Sequence, residues 1–480
     1  MSDSHLPLVV DLDGTLIKTD LLAETASQFL IKQPWRCYKL IEWLIEGKSA
    51  LKWHLARSTQ IDVTTLPYNQ DLLIYLRQQK TKGRCIVLAT ATHRLLADQV
   101  AEHLGLIDEV LATDGTTNLK ASAKRDALVI RYGERGFDYV GNDWADLPVW
   151  KSAAQAHVVS CSLPLIKQAR AQGNLGLTLG DAKPSPAAAL FKAMRPHQWM
   201  KNLLVFVPLL AAHRYGDVTS VLHAVLAFVV FGLAASSTYL LNDLADVTND
   251  RHHPRKRERP FAAGNLSLLH GWLAWPLLLA FALTLAGLGL PWKFTASLAA
   301  YFVLTVAYSL RLKQVPVLDV LALAGLYTLR IIAGAAAIAV PLSFWLLSFS
   351  MFLFLSLAFI KRYSELRLAR EVSPSVPLRG RGYNPQDLEL VSSLGGSAGY
   401  TAVLVLALYI QDSHTASLYA TPTFVWLACP LLLFWISRAW LIAHRGHMHD
   451  DPIVFALKDR VSWVMVALFA AVFVLAKVVP

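Results

Sequence analysis

Residues 242–250, "NDLADVTND", follow an apolar stretch long enough to lie in lipid and hold Asp243, Asp246 and Asp250 at spacings of three and four. On one continuous helix their carboxylates project from a single face. Such a cluster repels itself unless cations neutralise it. Hard oxygen ligands suit Mg²⁺ that also takes oxygens from a substrate's phosphates, and Asn242, one turn before Asp246, adds a neutral oxygen. The plain alternative is a solvated helix end followed by a basic run, "RHHPRKRERP" (251–260), that only sets topology. A second group lies further on. Arg330 sits deep in an apolar segment with Asp319 eleven residues before it, close to three helical turns, so the two share a face. A guanidinium at that depth must face the bundle interior and find an anion there, either a substrate or an internal ion-pair partner. "RPHQWMKN" (195–202) adds Arg195 and Lys201, and "FIKRYSEL" (359–366) adds Lys361, Arg362 and Glu365. Near the start, "PLVVDLDGTLIKTD" (7–20) places Asp11, Asp13 and Thr15 directly after an apolar strand.

Two kinds of scaffold must position these groups. The chain has 480 residues, 55% of them hydrophobic, and a formal charge of +11. Up to about residue 180 short apolar and polar stretches alternate as in soluble proteins; from about 202 long apolar runs are separated by short charged loops. The expected organisation is an α/β domain at 1–172, a Gly/Pro/Ala-rich linker at 173–186 and a polytopic all-α membrane bundle at 187–480. About nine helices are expected, near 202–213, 218–241, 271–289, 293–310, 318–338, 343–360, 399–410, 422–443 and 461–478. Arg and Lys crowd the loops after the second, fourth, sixth and eighth, Arg379 among them, which puts those loops and the N-terminal domain on the cytosolic side of a cell inner membrane. "MSDSHLPLVVDLDG" has neither the basic start nor the long apolar core of an export signal, and Cys37, Cys85, Cys161 and Cys429 are scattered as in a reducing compartment. "HRGHMHDD" (444–451) is spaced too irregularly for a metal site and reads as a surface loop.

"NDLADVTNDRHHPRKRERPFAAG" resembles the first aspartate-rich motif of the UbiA-type prenyltransferase superfamily, and the likeness extends over nearly everything after about residue 190. Ordinary members carry a second aspartate pair; here "YSLRLKQVPVLDVLALAGLYTLRIIAG" (308–334) has only Asp319. Together with "RPHQWMKN" and "KRYSEL", this is similar to the polyprenyl-phosphate phosphoribosyltransferase branch, best known as decaprenyl-phosphate phosphoribosyltransferases. The resemblance implies Mg²⁺-dependent transfer of 5-phosphoribose from phosphoribosyl pyrophosphate to a polyprenyl phosphate. It implies Asp243, Asp246 and Asp250 as metal ligands, and Lys201, Asn242, Lys256, Arg259, Asp319, Arg330, Lys361 and Arg362 as substrate-binding residues. No nucleic acid partner is expected, and a homo-oligomer is left open.

The N-terminal domain resembles haloacid-dehalogenase-type phosphatases, a Rossmann-like α/β fold with a helical cap, here near 20–79. Its four motifs match Asp11-x-Asp13-x-Thr15, Thr90 in "RCIVLATAT", Lys124 in "KASAKRDAL", and Asn142, Asp143 and Asp146 in "FDYVGNDWADLP". The resemblance implies Asp11 as nucleophile, Asp13 as general acid and base, Thr90 and Lys124 as phosphoryl holders, and Mg²⁺ on Asp11, Asp13 and Asp143 or Asp146. An acid is usual where Asn142 stands. The expected task is removal of the 5-phosphate from the membrane domain's product. Two alternatives stay open: a prenyltransferase with an isoprenyl diphosphate donor, and a lipid carrier with a regulatory hydrolase-like domain.

Overall fold

The computed structural model describes residues 6–113, 119, 121–180, 184–372, 381–411, 419–448 and 451–479. Arg379, His449, Asp450 and residues 181–183 of the expected linker lie outside that set. The chain forms two compact units, Met1–Pro196 with Tyr239–Leu277, and His197–Thr238 with Leu278–Pro480.

In the first unit Leu8–Val10 (β1), Ile86–His93 (β2), Glu109–Thr113 (β3), Asp138–Gly141 (β4), Ala156–Val159 (β5) and Leu175–Leu179 (β6) make one sheet in the order β3-β2-β1-β4-β5-β6. All of its pairings are parallel. The strands are continuous apolar runs because both faces are covered. Leu8, Val10, Leu88 and Val140 enter one core, while Val9, Val87, Tyr139 and Val158 enter the other, the period of two expected of a strand. Val10 pairs with Leu88 and Val140, so Asp11, Thr90 and Asn142 cluster at the carboxyl ends of three neighbouring strands, where ligands bind in open α/β sheets.

Four helices separate β1 from β2. Leu21–Lys32 (α1), Tyr38–Glu46 (α2) and Lys48–Ser58 (α3) share a small core of Phe29, Trp43 and Leu55 and form the cap. Gln70–Thr81 (α4) sends Leu72, Leu73 and Leu76 into the sheet core instead. α1 begins at Asp20, whose carboxylate accepts from the Leu22 and Ala23 amides. Arg94–Leu104 (α5), Ser122–Tyr132 (α6), Leu147–Ser152 (α7) and Leu163–Ala171 (α8) complete the α/β layers. Part of the expected linker is structured: Leu175, Leu177 and Leu179 alternate with Gly176 and Thr178, a short strand pattern masked by its glycine, and β6 pairs with β5. Pro186–Met194 (α9) follows.

The remaining helices are Val207–Ala211 (α10), Val218–Ala245 (α11), Val247–His252 (α12), Leu268–Gly289 (α13), Trp292–Leu310 (α14), Leu318–Ala337 (α15), Phe344–Val372 (α16), Leu388–Gln411 (α17), Ala428–His444 (α18), Pro452–Lys458 (α19) and Arg460–Val478 (α20). Among the described residues eight segments are long and apolar enough to cross a membrane. The ninth expected crossing, near 202–213, is instead a 3₁₀ segment, Pro196–Phe206, followed by the five-residue α10. Pro196 and Pro208 interrupt the helical hydrogen bonding there, and the polar residues of "RPHQWMKN" shorten the apolar run. Helix α11, with 28 residues, is about 42 Å long at ~1.5 Å per residue and exceeds the ~30 Å hydrocarbon core. Its last turn carries Asn242 and Asp243.

Candidate active sites

Asp11 leaves β1 with its Oδ1 accepting from Lys124 Nζ at 2.6 Å, and Lys124 also donates to the Tyr139 hydroxyl at 2.9 Å. Asp13 accepts from the Leu21 amide at 2.8 Å and from the Thr92 hydroxyl at 2.5 Å. Burial pushes Asp11 up to about 6 against the opposing charge of Lys124. Burial, reinforced by Asp20, pushes Asp13 up to about 7. One carboxylate is thus paired for attack and its neighbour holds a proton near neutrality, the division of labour that nucleophilic and general-acid catalysis require. Gly14 has φ +77°, and a Cβ there would stand 2.4 Å from Asn142 Nδ2, so only glycine lets the loop approach β4 this closely.

The fourth motif is arranged differently from the expected ligand set. Asp146 turns inward: Oδ1 accepts from the Tyr139 hydroxyl at 2.8 Å, and Oδ2 from the amides of Asn142 and Asp143 at 2.9 and 3.0 Å. Asp143 is exposed and caps the following turn. The Thr15 hydroxyl lies 3.0 Å from Asn142 Oδ1 and 3.4 Å from Asp11 Oδ2, so those two oxygens face a common polar point. Thr90 is buried, its hydroxyl accepting from the Thr92 amide at 3.0 Å. Thr92, which sequence reasoning passed over, is the residue that touches Asp13.

The "NDLADVTND" segment is not one helix. α11 stops at Ala245, Asp246 adopts φ −98° and ψ 7°, and α12 restarts at Val247. Backbone hydrogen bonds still run from the Asp246 amide to the Asn242 carbonyl and from the Asp250 amide to the Asp246 carbonyl. Asp243 and Asp250 are buried, while Asp246 is partly exposed. Arg259 Nη1 stands between the two buried ones, 3.1 Å from Asp243 Oδ1 and 2.6 Å from Asp250 Oδ2. Arg195, whose backbone is left-handed at the end of α9, donates one nitrogen to both Asp243 oxygens at 2.5 and 2.6 Å. The sequence marked it only as one cation of "RPHQWMKN". Burial pushes Asp250 up to about 6; Arg259 opposes the rise and Asp243 adds to it. Lys256 is exposed but close enough to act on Asp250. Among the described residues no three acidic, histidine or cysteine side chains converge as a ready metal site. Two carboxylates sharing one cationic nitrogen nevertheless mark a point where a cation is held. That suits a Mg²⁺ whose other ligands are phosphate and water oxygens.

In the second unit Arg330 is 4% exposed and has neutral partners: Asn202 Oδ1 at 3.0 Å, the Leu326 carbonyl at 2.6 Å and the Tyr301 hydroxyl at 3.3 Å. The rings of Tyr301, Phe231 and Tyr327 surround it at 4.9 to 5.4 Å. Among the described residues no carboxylate forms an ion pair with it, so the anion expected from the sequence is not Asp319. Asp319 is fully buried and pairs with Arg362, whose Nε donates at 2.8 Å, and with the Tyr383 hydroxyl at 2.7 Å; Arg362 also meets Glu365. Lys201 pairs with Asp451, which was read as part of a surface loop but is largely enclosed. Burial would raise the Asp451 carboxyl, yet Lys201 and Lys361 hold it below its ordinary value. Tyr327 lies within electrostatic reach of Lys201, Lys361 and Arg330.

Residues 203–465 match the model of the UbiA prenyltransferase family. The chain belongs to that family. It is accordingly an enzyme of the UbiA type, and its eight candidate spans make it an integral membrane protein. A Sinorhizobium fredii relative called uncharacterized protein y4nM is 38% identical over 99% of this chain and 92% of its own length. Nodulation protein NoeC of Azorhizobium caulinodans is 42% identical over 58% of this chain and 91% of its own length. A decaprenyl-phosphate phosphoribosyltransferase of Mycolicibacterium smegmatis is 36% identical over 58% and 89%. The last two match a little over half of this chain, whereas y4nM matches nearly all of it.

Proposed function

We propose that the UbiA-type part transfers 5-phosphoribose from phosphoribosyl pyrophosphate to a polyprenyl phosphate, and that the N-terminal domain removes the 5-phosphate from the lipid-linked product. The observation that carries the reading is the unequal fate of the acidic residues. Asp243 and Asp250 share one nitrogen of Arg259, whereas Asp319 is fully buried in an ion pair with Arg362 and accepts from the Tyr383 hydroxyl. That leaves one carboxylate pair, where an isoprenyl-diphosphate enzyme needs two. The name of the Mycolicibacterium smegmatis relative supports the same donor and acceptor.

Asp243 and Asp250 would hold Mg²⁺, which would supply charge neutralisation for a departing pyrophosphate. Arg195 and Arg259, displaced from the carboxylates, are placed to hold the pyrophosphate oxygens in bidentate fashion. Arg330 offers a buried positive charge whose protein partners are all neutral, and a substrate phosphate completes it. A lipid phosphate is already ionised near neutrality, so attack on the anomeric carbon needs no strong base; orientation is the main requirement. In the α/β domain Asp11 attacks the 5-phosphate, Lys124 and Thr90 steady the transferring phosphoryl group, and Asp13 supplies the proton to the departing ribose oxygen. Mg²⁺ there would rest on Asp11 with Asn142, with Asp143 at the rim. The arginine-rich loops support a cytosolic position for this domain.

The test is incubation of the purified protein with Mg²⁺, labelled phosphoribosyl pyrophosphate and a polyprenyl phosphate. Label is expected in the lipid phase as both phosphorylated and dephosphorylated ribosyl lipid. Absence of lipid label, together with prenylation of an aromatic acid from an isoprenyl diphosphate, would replace this reading.

A further inference from the structure

The loop that carries the aspartate motif is bound to the hydrolase cap inside the first compact unit. Arg251, the residue after Asp250, donates to both oxygens of Glu24 on α1, at 2.5 and 3.3 Å. The two side chains are only 6% and 7% exposed. Arg251 also donates to the Ala262 carbonyl at 3.2 Å, which ties it across its own loop. Two further contacts flank this pair. Trp272 Nε1 donates to Ser27 Oγ at 2.9 Å. Gly264, at φ +71°, comes so near the hydrolase chain that a Cβ there would be 2.7 Å from Lys18 Cβ.

Glu24 is also connected inward. It accepts from the Thr19 hydroxyl at 2.7 Å, and the Thr19 carbonyl accepts from the Gly14 amide at 3.0 Å, between the nucleophile motif's Asp13 and Thr15. A continuous set of hydrogen bonds therefore runs from the Asp11–Thr15 loop through Glu24 and Arg251 to the helix that bears Asp250. A buried bidentate ion pair adds little net stability, because desolvation offsets its attraction, but it fixes one geometry. Domains joined by a linker alone ordinarily move relative to one another.

Building on the function proposed above, we infer that the Glu24–Arg251 pair is a latch that holds the hydrolase cap on the aspartate-motif loop, so that the phosphorylated lipid product is dephosphorylated before it enters the bilayer pool. In that step Asp11 displaces the ribose 5-oxygen from phosphorus, Asp13 gives the oxygen its proton, and water then releases inorganic phosphate from Asp11. Arg251 and Glu24 touch neither substrate nor reacting atoms and act as positioning residues.

The test uses the full chain in vesicles doped with excess unlabelled phosphorylated ribosyl lipid, with labelled phosphoribosyl pyrophosphate as donor. In the wild type, labelled dephosphorylated lipid should form without a lag and undiluted by the unlabelled pool. In the Glu24→Gln/Arg251→Met double variant, pyrophosphate release and hydrolysis of p-nitrophenyl phosphate should both persist, while the labelled phosphorylated lipid rises by about ten-fold, within the usual range of coupling between sites. Trp272→Phe, which removes only the bond to Ser27, should shift the same ratio less and covers the case in which the double variant fails to fold. Variants that process label as the wild type does overturn the latch alone. A wild type that forms phosphorylated lipid but never the dephosphorylated product overturns the latch together with the hydrolase role on which it rests.

Discussion

The first unit buries two carboxylate pairs and neutralises them in different ways. Asp11 and Asp13 stand at a strand end with one lysine between them and the sheet, and burial outweighs that lysine, so both carboxyls titrate near neutrality. Asp243 and Asp250 stand at a helix break, held by two arginines, one of which bridges them. The first arrangement suits groups that must gain and lose protons or bonds. The second gathers two carboxylates around one cationic nitrogen, with burial lifting Asp250 to about 6 as it lifts Asp11. Burial raises a carboxyl in both pairs; what differs is the partner, a lysine on Asp11 and two arginines on Asp243 and Asp250.

The sharpest way to break this comparison is to neutralise one pair at a time. Asp243→Asn should lower phosphoribosyl transfer at least on the order of 10³-fold, equivalent to about 4 kcal/mol of barrier. Hydrolysis of p-nitrophenyl phosphate by the same protein should be retained. Asp11→Asn should do the reverse, sustaining pyrophosphate release while the phosphorylated lipid accumulates. Loss of both activities in either variant would mean that the two pairs are not separate chemical units.

Arg330→Met sharpens the electrostatic half. Removing a buried charge that awaits an anion should cost transfer about 10²-fold in kcat/KM. Arg330→Lys should restore little of it, since an ammonium cannot reproduce the fork that meets Asn202 and the Leu326 carbonyl together. Steady-state kinetics in proteoliposomes, with phosphoribosyl pyrophosphate and the lipid phosphate varied in turn, would show which substrate it holds.

Most of the α/β domain was legible because its motifs fall at strand ends, where residue order dictates position: Asp11, Thr90, Lys124 and Asn142 come together as the resemblance implied. The two carboxylates after Asn142 were less legible. Asp146 is consumed by backbone amides and Tyr139, and no spacing rule reveals that. In the aspartate motif the helix is interrupted at Asp246, yet Asp243 and Asp250 meet on one Arg259 nitrogen, and the partners of Asp243 come from residues 48 positions earlier and 16 later. Long-range pairing of this kind leaves no local signal. The same holds for Asp319, whose partner Arg362 lies a full helix away, and for Asp451, which finds Lys201 at 250 residues' separation. Among the described residues eight of the expected spans appear, and the stretch near 202–213, which holds Pro208, does not form one.

The sealed pair gives a prediction of stability in place of chemistry. Arg362→Met should destabilise the membrane unit by about 3–5 kcal/mol, since Asp319 would be left buried without its counter-charge. The Asp319→Leu/Arg362→Met double variant should recover most of that loss, measured as thermal or denaturant unfolding in detergent. If the single variant stays folded and loses only transfer, Arg362 belongs to the substrate-holding cations.

The smallest effect concerns protons in the hydrolase pair. Burial, reinforced by Asp20 and opposed by the Thr92 hydroxyl bond, raises Asp13 to about 7. The acid form is present below that value, so the proton-donating step should weaken as pH rises through it. Asp20→Asn keeps an α1 cap but removes a like charge. Ionisation of Asp13 then becomes easier, its pKa falls, and the alkaline limb of p-nitrophenyl phosphate hydrolysis should move to lower pH. Thr92→Val removes a donor that favours the ionised form, so the limb should move to higher pH. Opposite shifts in the two variants would tie the limb to Asp13; a limb indifferent to both would assign it to another group and remove the proton-donor role from Asp13.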